Sequence, residues 1–239
     1  VEEREARSGE LMEIVKMSFF GNPNIGVYAY ANDEILVLPS GIGRDDIEEL
    51  VDTLKVDAAI EAKLAGTILI GVLVAGNNRA VLLPHIVFDE DVEYLKKQAR
   101  ENGLDVDFIV LESKYTALGN LLLCNNRRCL VSRLFSDKEV KEIEKALGVE
   151  AVRGGLVNMD LPGSVAVVTD RGGIIHPDAS EDDIKTVKGV LGVTVERATV
   201  NAGVVYVKSG VIANNNGVVI GGNTTGPEVL RIKRGFEGG

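Results

Sequence analysis

The chain has 239 residues, enough to bury a sizeable core, and its 45% apolar and 26% charged residues are in ordinary globular proportion. A formal net charge of −10 argues against a general binder of DNA or other nucleic acid, because such affinity rests on Lys and Arg displacing counterions. No apolar run reaches the roughly 18 residues that crossing a bilayer needs. The acidic start at Glu2, Glu3 and Glu5 has the wrong sign for a secretory signal, so the expected location is the cytoplasm and no membrane partner is expected.

In chain order, residues 1–11 form an N-terminal extension outside any pattern, expected to be disordered, and a single domain is expected over 12–239. Residues 13–20 alternate apolar and polar positions, which predicts a strand. Apolar segments at 27–30 and 35–38, with a turn at Asn32-Asp33 between them, read as a hairpin. A helix follows, with Ile47, Leu50 and Leu54 on one face. The same order then recurs. Segments 72–74 and 81–83 flank Asn77-Asn78 and precede a helix anchored by Val92, Leu95 and Ala99, with a further strand at 106–111. Segments 121–124 and 129–131 flank Asn125-Asn126 and precede Val140, Ile143 and Leu147. Segments 165–168 and 174–175 flank a turn at 170–173 and precede Ile184, Val187 and Leu191. Segments 211–212 and 218–220 flank a turn at 214–217 and precede Val229, Ile232 and Phe236.

The first anchors of these helices, at 47, 92, 140, 184 and 229, recur every 44 to 48 residues. A fixed period of this length means one supersecondary unit used repeatedly. The residue before each anchor is acidic (Asp46, Asp91, Glu139, Asp183 and Glu228), as the positive end of a helix dipole favours. Ser136 and Ser180 open capping boxes, and Pro227 suits a first helical position. The fold expected is α/β, built of five pseudosymmetric strand-strand-helix-strand units. The first four helices are each followed by a short strand and a glycine-bearing connection with Gly66, Gly119, Gly163 or Gly203, whereas no strand follows the fifth. The spare strand at 13–20 fills that place if the units close into a ring, which leaves few unpaired strand edges. An open stack of units is the alternative.

Little in the chain points to reaction chemistry. Cys124 and Cys129 flank a hairpin turn, where they face one another, but an activated thiol needs a neighbouring base or cation and neither His85 nor His176 is near in sequence. They read as small buried apolar residues in a reducing compartment. His85 and His176 stand at equivalent places in the second and fourth units, which argues for a structural role at a strand-to-helix corner. The glycine-rich runs 41–43 and 221–226 lack the lysine of a phosphate-binding loop and read as turns. No catalytic residue, metal-ligand set or cofactor is expected. Asn77, Asn120, Asn125, Asn201 and Asn214 cluster at hairpin turns and unit junctions. Asparagine suits turns for its own reasons, yet a ring that gathered several at one end would present a polar docking face. Arg127-Arg128 and the group Arg231, Lys233, Arg234 read as solvated faces.

The stretches Gly21-Asn22-Pro23-Asn24-Ile25-Gly26, Leu82-Leu83-Pro84, Thr116-Ala117-Leu118-Gly119-Asn120, His176-Pro177, Thr199-Val200-Asn201-Ala202-Gly203 and the run over 221–228 together resemble the archaeal branch of the translation initiation factor 6 family. The resemblance runs from about residue 12 to the C-terminus. It implies a pentein fold, a five-bladed pseudosymmetric α/β propeller. It also implies a monomeric ribosome anti-association factor, not an enzyme, that binds the large ribosomal subunit at its intersubunit face and sterically prevents premature association with the small one. The implied partner is a basic ribosomal protein near the sarcin-ricin region, which suits an acidic factor. Carried over by motif, Gly119 and Asn120 are the first ribosome-binding residues, Asn77 a further one, and Asn125 and Asn201 extrapolations to nearby loops. The alternative is a guanidino-group hydrolase or transferase of the same fold, whose Cys nucleophile comes late in the chain. Here no cysteine follows Cys129.

Overall fold

Each repeat folds into the same parts, which the computed structural model describes over residues 12–238; the expected extension at 1–11 lies outside these residues. A short inner strand turns back antiparallel into a central strand, a helix crosses over, and a third strand returns parallel to the central one. The five resulting sheets are Tyr30–Ala31, Ile35–Leu38 and Ala58–Glu61; Ala75–Gly76, Ala80–Pro84 and Asp107–Leu111; Leu122–Cys124, Arg128–Ser132 and Glu150–Gly154; Ala166–Val168, Gly173–Ile175 and Val195–Arg197; and Val211–Ala213, Gly217–Gly221 and Glu13–Met17. The last of these closes the ring. Glu13–Met17 lies parallel to Gly217–Gly221, Glu13 opposite Gly217 and Met17 opposite Gly221, so the start of the chain supplies the strand missing after the fifth helix. It stops short of the expected 20 because Phe19 and Asn22 bridge across a turn.

The five helices are α1 (Arg44–Leu54), α2 (Asp89–Glu101), α3 (Asp137–Leu147), α4 (Glu181–Leu191) and α5 (Gly226–Glu237). Each lays its apolar face into the wedge between its own sheet and the preceding one. Leu50 and Leu54 of α1 pack with Met17, Phe19 and Val219, and Val92, Leu95 and Ala99 of α2 pack with Ile35, Val37 and Ile60. Covered on both faces, the central strands are mostly continuous apolar runs instead of alternating, and Ile35–Leu38 and Ala80–Pro84 are buried along their whole length. The core is therefore five clusters, one at each junction between units.

Sequence reasoning missed one element in every unit. Single helical turns, Ile25–Val27, Ile70–Leu73, Leu118–Leu121, Pro162–Val165 and Val207–Gly210, precede the inner strands and take the first residues of four of the five segments expected as strands, the exception being 211–212. A turn of this length has no 3.6-residue period to detect, and its Val and Leu residues resemble a strand. The connection glycines are also of two kinds. Gly119 and Gly163 sit second in these turns, as Gly26 and Gly71 do, whereas Gly66 and Gly203 take positive φ, 72° and 106°, in the turns that follow a third strand.

Candidate functional site

The two ends of the ring axis are chemically unlike. Inner strands run from the helical turns to the hairpin tips, central strands run back, and helices return, so the helix starts lie at the short-turn end and the helix ends near the hairpin tips.

At the hairpin end, Asn32, Asn77, Asn125 and Asn214 each turn the chain by accepting N–H groups two and three residues on, as Asn77 does from Arg79 at 3.0 Å and Ala80 at 3.2 Å. Their amides then reach another unit: Asn77 donates to Leu147 O at 3.0 Å, Asn125 to Leu191 O at 3.0 Å and Asn214 to Leu54 O at 2.6 Å. These carbonyls close helices and would otherwise lack partners. The residues that follow, Asp33, Asn78, Asn126 and Asn215, form a closed cycle with Asp170, which follows Thr169 in the fourth unit. The N–H of Asp33 donates to Asn78 Oδ1, that of Asn78 to Asn126, Asn126 to Asp170, Asp170 to Asn215 and Asn215 back to Asp33, at 2.8 to 3.0 Å. Beneath it lies a cavity of about 50 Å³ bordered by Tyr30 and Cys124. Burial, then the Asp33 carboxylate, pushes the Tyr30 phenol well above its usual range. Cys124 is joined to Cys129 directly across the hairpin, which corrects the expectation of two free, reduced thiols: the pair that faces across the strands is bonded.

At the opposite end the five helical turns meet at the axis. A Cβ at Gly71 would stand 2.1 Å from Gly26 O, at Gly119 2.1 Å from Gly71 O, at Gly163 2.3 Å from Gly119 O, and at Gly26 2.0 Å from Lys208 O. Glycine is required where backbones approach this closely. The next residues, Val27, Val72, Asn120, Ser164 and Ser209, border an axial mouth of about 90 Å³.

Around this mouth run tight turns whose central residues both have positive φ, Ala65-Gly66, Val157-Asn158 and Asn201-Ala202 among them. The carboxylates expected only to cap helices also hold these turns. Asp91 accepts the Ala65 N–H at 2.9 Å and Asp183 the Val157 N–H at 3.0 Å, while Glu228 accepts those of Gly203 at 2.9 Å and Ala202 at 3.1 Å. Burial by itself would raise the Glu228 pKa. Hydrogen bonds from the Thr225 N–H, the Thr199 and Thr225 hydroxyls and the Gly203 N–H overcome it and hold the group at about 2, below its ordinary 4.5. A carboxyl depressed in the fold contributes stability that is present above the unfolded pKa and lost as pH falls through the folded one. Wild type is therefore expected to lose about 3 kcal/mol more than Glu228→Gln between pH 5 and pH 2, read by urea unfolding at each pH. Parallel curves for the two proteins would contradict this.

The short-turn end also carries exposed apolar side chains. Leu69, Leu161 and Tyr206 precede helical turns, Phe88 and Leu134 precede helices, and Phe20 lies in a positive-φ turn; Phe88 is 56% exposed. Every long helix opens here with at least one carboxylate in its first turn. Arg133, Arg153 and Arg197 at this end are paired with Asp160, Asp137 and Glu181. The hairpin tips carry Arg79, Arg127, Arg128 and Arg171 instead.

The expected site residues are divided among three places. Gly119 and Asn120 lie at the short-turn end, Gly119 buried in the axial ring and Asn120 at the mouth. Asn77 and Asn125 lie at the hairpin end, 6% and 5% exposed, with their amides committed to other units. Asn201 is buried where the fifth unit meets the first, donating to Pro23 O at 2.9 Å. His176 is buried at its corner, its Nδ1 accepting the Asp178 N–H, while His85 is exposed. Among the described residues no three or more His, Cys, Asp or Glu side chains gather as a metal site would need, and no helix is long and apolar enough to cross a membrane. Sequence reasoning passed over Lys208, which stands second in the fifth helical turn and borders the mouth. Its signal was a lysine at the position where four other repeats carry glycine, legible only once the helical turns are aligned.

Five sheet-and-helix units closed about a pseudo-fivefold axis define a protein of the pentein class. A crystal structure of a dimethylarginine dimethylaminohydrolase variant in adduct with S-methyl-L-thiocitrulline shares this architecture, with a TM-score of 0.51 at 13% identity over 90% of this chain and 74% of that one; the likeness is one of fold alone. The model of the eIF-6 family matches residues 14–235, and the chain belongs to that family of translation factors. Translation initiation factor 6 of Staphylothermus marinus is 48% identical over 95% of this chain and 99% of its own length. The factor of the same name from Pyrococcus horikoshii is 40% identical over 93% and 97%.

Proposed function

We propose that the short-turn end docks on the large ribosomal subunit at its intersubunit face, against a basic ribosomal protein near the sarcin-ricin region, and so sterically prevents premature joining of the small subunit. One observation carries this reading. Asn120, the residue that the family resemblance offers for binding, stands with its amide unpaired at the end that combines exposed apolar side chains with acidic helix starts. Aromatic and aliphatic anchors inside a charged rim are what a protein interface uses, and opposite charge on the partner aids docking. The hairpin tips carry arginines instead, which do not suit a basic partner, and their asparagines are spent within the fold. In this reading Gly119 positions Asn120, and Asn77, Asn125 and Asn201 hold the ring that presents it.

The test is sedimentation with isolated large subunits, together with a subunit-joining assay. Wild type is expected to co-sediment and to reduce joining. Asn120→Ser should bind about tenfold more weakly with its melting temperature unchanged, because no intramolecular bond is removed. Arg127→Glu, at the far end, should bind as wild type. Weakening by Arg127→Glu and not by Asn120→Ser would reverse the assignment of ends, and a wild type that neither binds nor blocks joining would refute the function.

A further inference from the structure

The mouth at the short-turn end breaks the ring's symmetry. Where four turns place glycine against the axis, the fifth places Lys208, partly buried. Its Nζ donates to Gly26 O across a long 3.4 Å, and an ammonium has three donors to satisfy. Burial pushes its pKa down to about 8, so it remains mostly cationic at neutral pH. The walls around it are unequal. Val27 and Val72 make an apolar side, and Asn120, Ser164 and Ser209 a polar one. The Asn120 amide and the Ser164 hydroxyl make no side-chain hydrogen bond among the described residues. No carboxylate borders the cavity, and Tyr206 is the other titratable group there. A half-buried cation beside unfilled hydrogen-bonding groups is costly to keep unless an anion completes it.

We propose that the mouth receives one carboxylate, from an Asp or Glu side chain or a C-terminus of the protein on which this face docks. The inference rests on the docking function above. A space of about 90 Å³ admits a carboxylate and is too small for a nucleotide. The acidic helix starts around it disfavour a polyanionic backbone while attracting a basic protein. An acid within such a partner then finds its match at the axis, and that match fixes the rotation of the ring on its partner.

Isolated archaeal large subunits are titrated with wild type and with Lys208→Met, and the wild-type complex is treated with a carbodiimide, which joins an amine directly to a carboxylate it touches. Lys208→Met should raise Kd about tenfold or more without lowering the melting temperature. Mass spectrometry should find Lys208 amide-linked to an acidic residue or C-terminus of a subunit protein, a link absent from Lys208→Met. Equal Kd values would overturn the inference and leave the docking function standing. Dependence of binding on Lys208 with no protein carboxylate coupled to it would place an RNA phosphate in the mouth and overturn the carboxylate assignment. A wild type that does not bind would remove the docking function and this inference together.

Discussion

Gly119→Val is expected to destabilise the protein by about 4 kcal/mol and to lower its melting temperature by about 10 °C. The first atom of any side chain at this position would meet Gly71 O at 2.1 Å and Val74 O at 2.8 Å. Those are backbone atoms of the neighbouring unit, themselves pinned by the contact of Gly71 with Gly26. Room can be made only by moving one turn out of the axial ring, and the strain then passes to both neighbours because packed interiors do not yield continuously. Gly189→Ala is the matching control, since that glycine lies on the exposed side of α4 with nothing within 4 Å of a new Cβ. It should raise stability by about 1 kcal/mol through helix propensity. Equal thermal unfolding of Gly119→Val and wild type would show that the close axial approach is not a constraint. The contrast also separates Gly119 from Asn120: the expected loss is one of stability for Gly119→Val and one of affinity for Asn120→Ser.

The second large effect concerns the closing strand. Removal of residues 12–20 should abolish the single cooperative thermal transition. Met12, Met17 and Phe19 are each under 6% exposed, and burial of such side chains is worth about 2 kcal/mol apiece. The strand also satisfies one edge of Gly217–Gly221 along its whole length. Its loss opens two of the five core clusters, because Met12 packs with the fifth unit's cluster and Met17 and Phe19 with that of the first. Repeat proteins draw much of their stability from such junctions, so scanning calorimetry should record a broad or absent transition. A sharp melt within a few degrees of wild type would mean that the ring does not depend on closure.

Five units, the apolar face of every helix, the acidic residue at each helix start and the closing strand could all be read from the chain. These are matters of local physics: side-chain period, end capping and one strand too few. Asn120 and Asn125 show where that reading ends. They are five residues apart, yet they stand at opposite ends of the axis because Leu122–Cys124 runs between them. Both looked like turn asparagines, and only the fold decides that one is free and the other is tied to Leu191.

The same limit applies to the axial glycines, the bond between Cys124 and Cys129, and the lysine in the mouth. Glu228 was legible as a helix-start acid but not as the clamp on Ala202 and Gly203. Sequence by itself determined what each unit is, since a unit's elements follow from neighbouring residues. Tertiary structure alone decided which residues meet at the two ends of the ring, because contacts there join residues a whole repeat or more apart, and their chemistry exists only once the circle is closed.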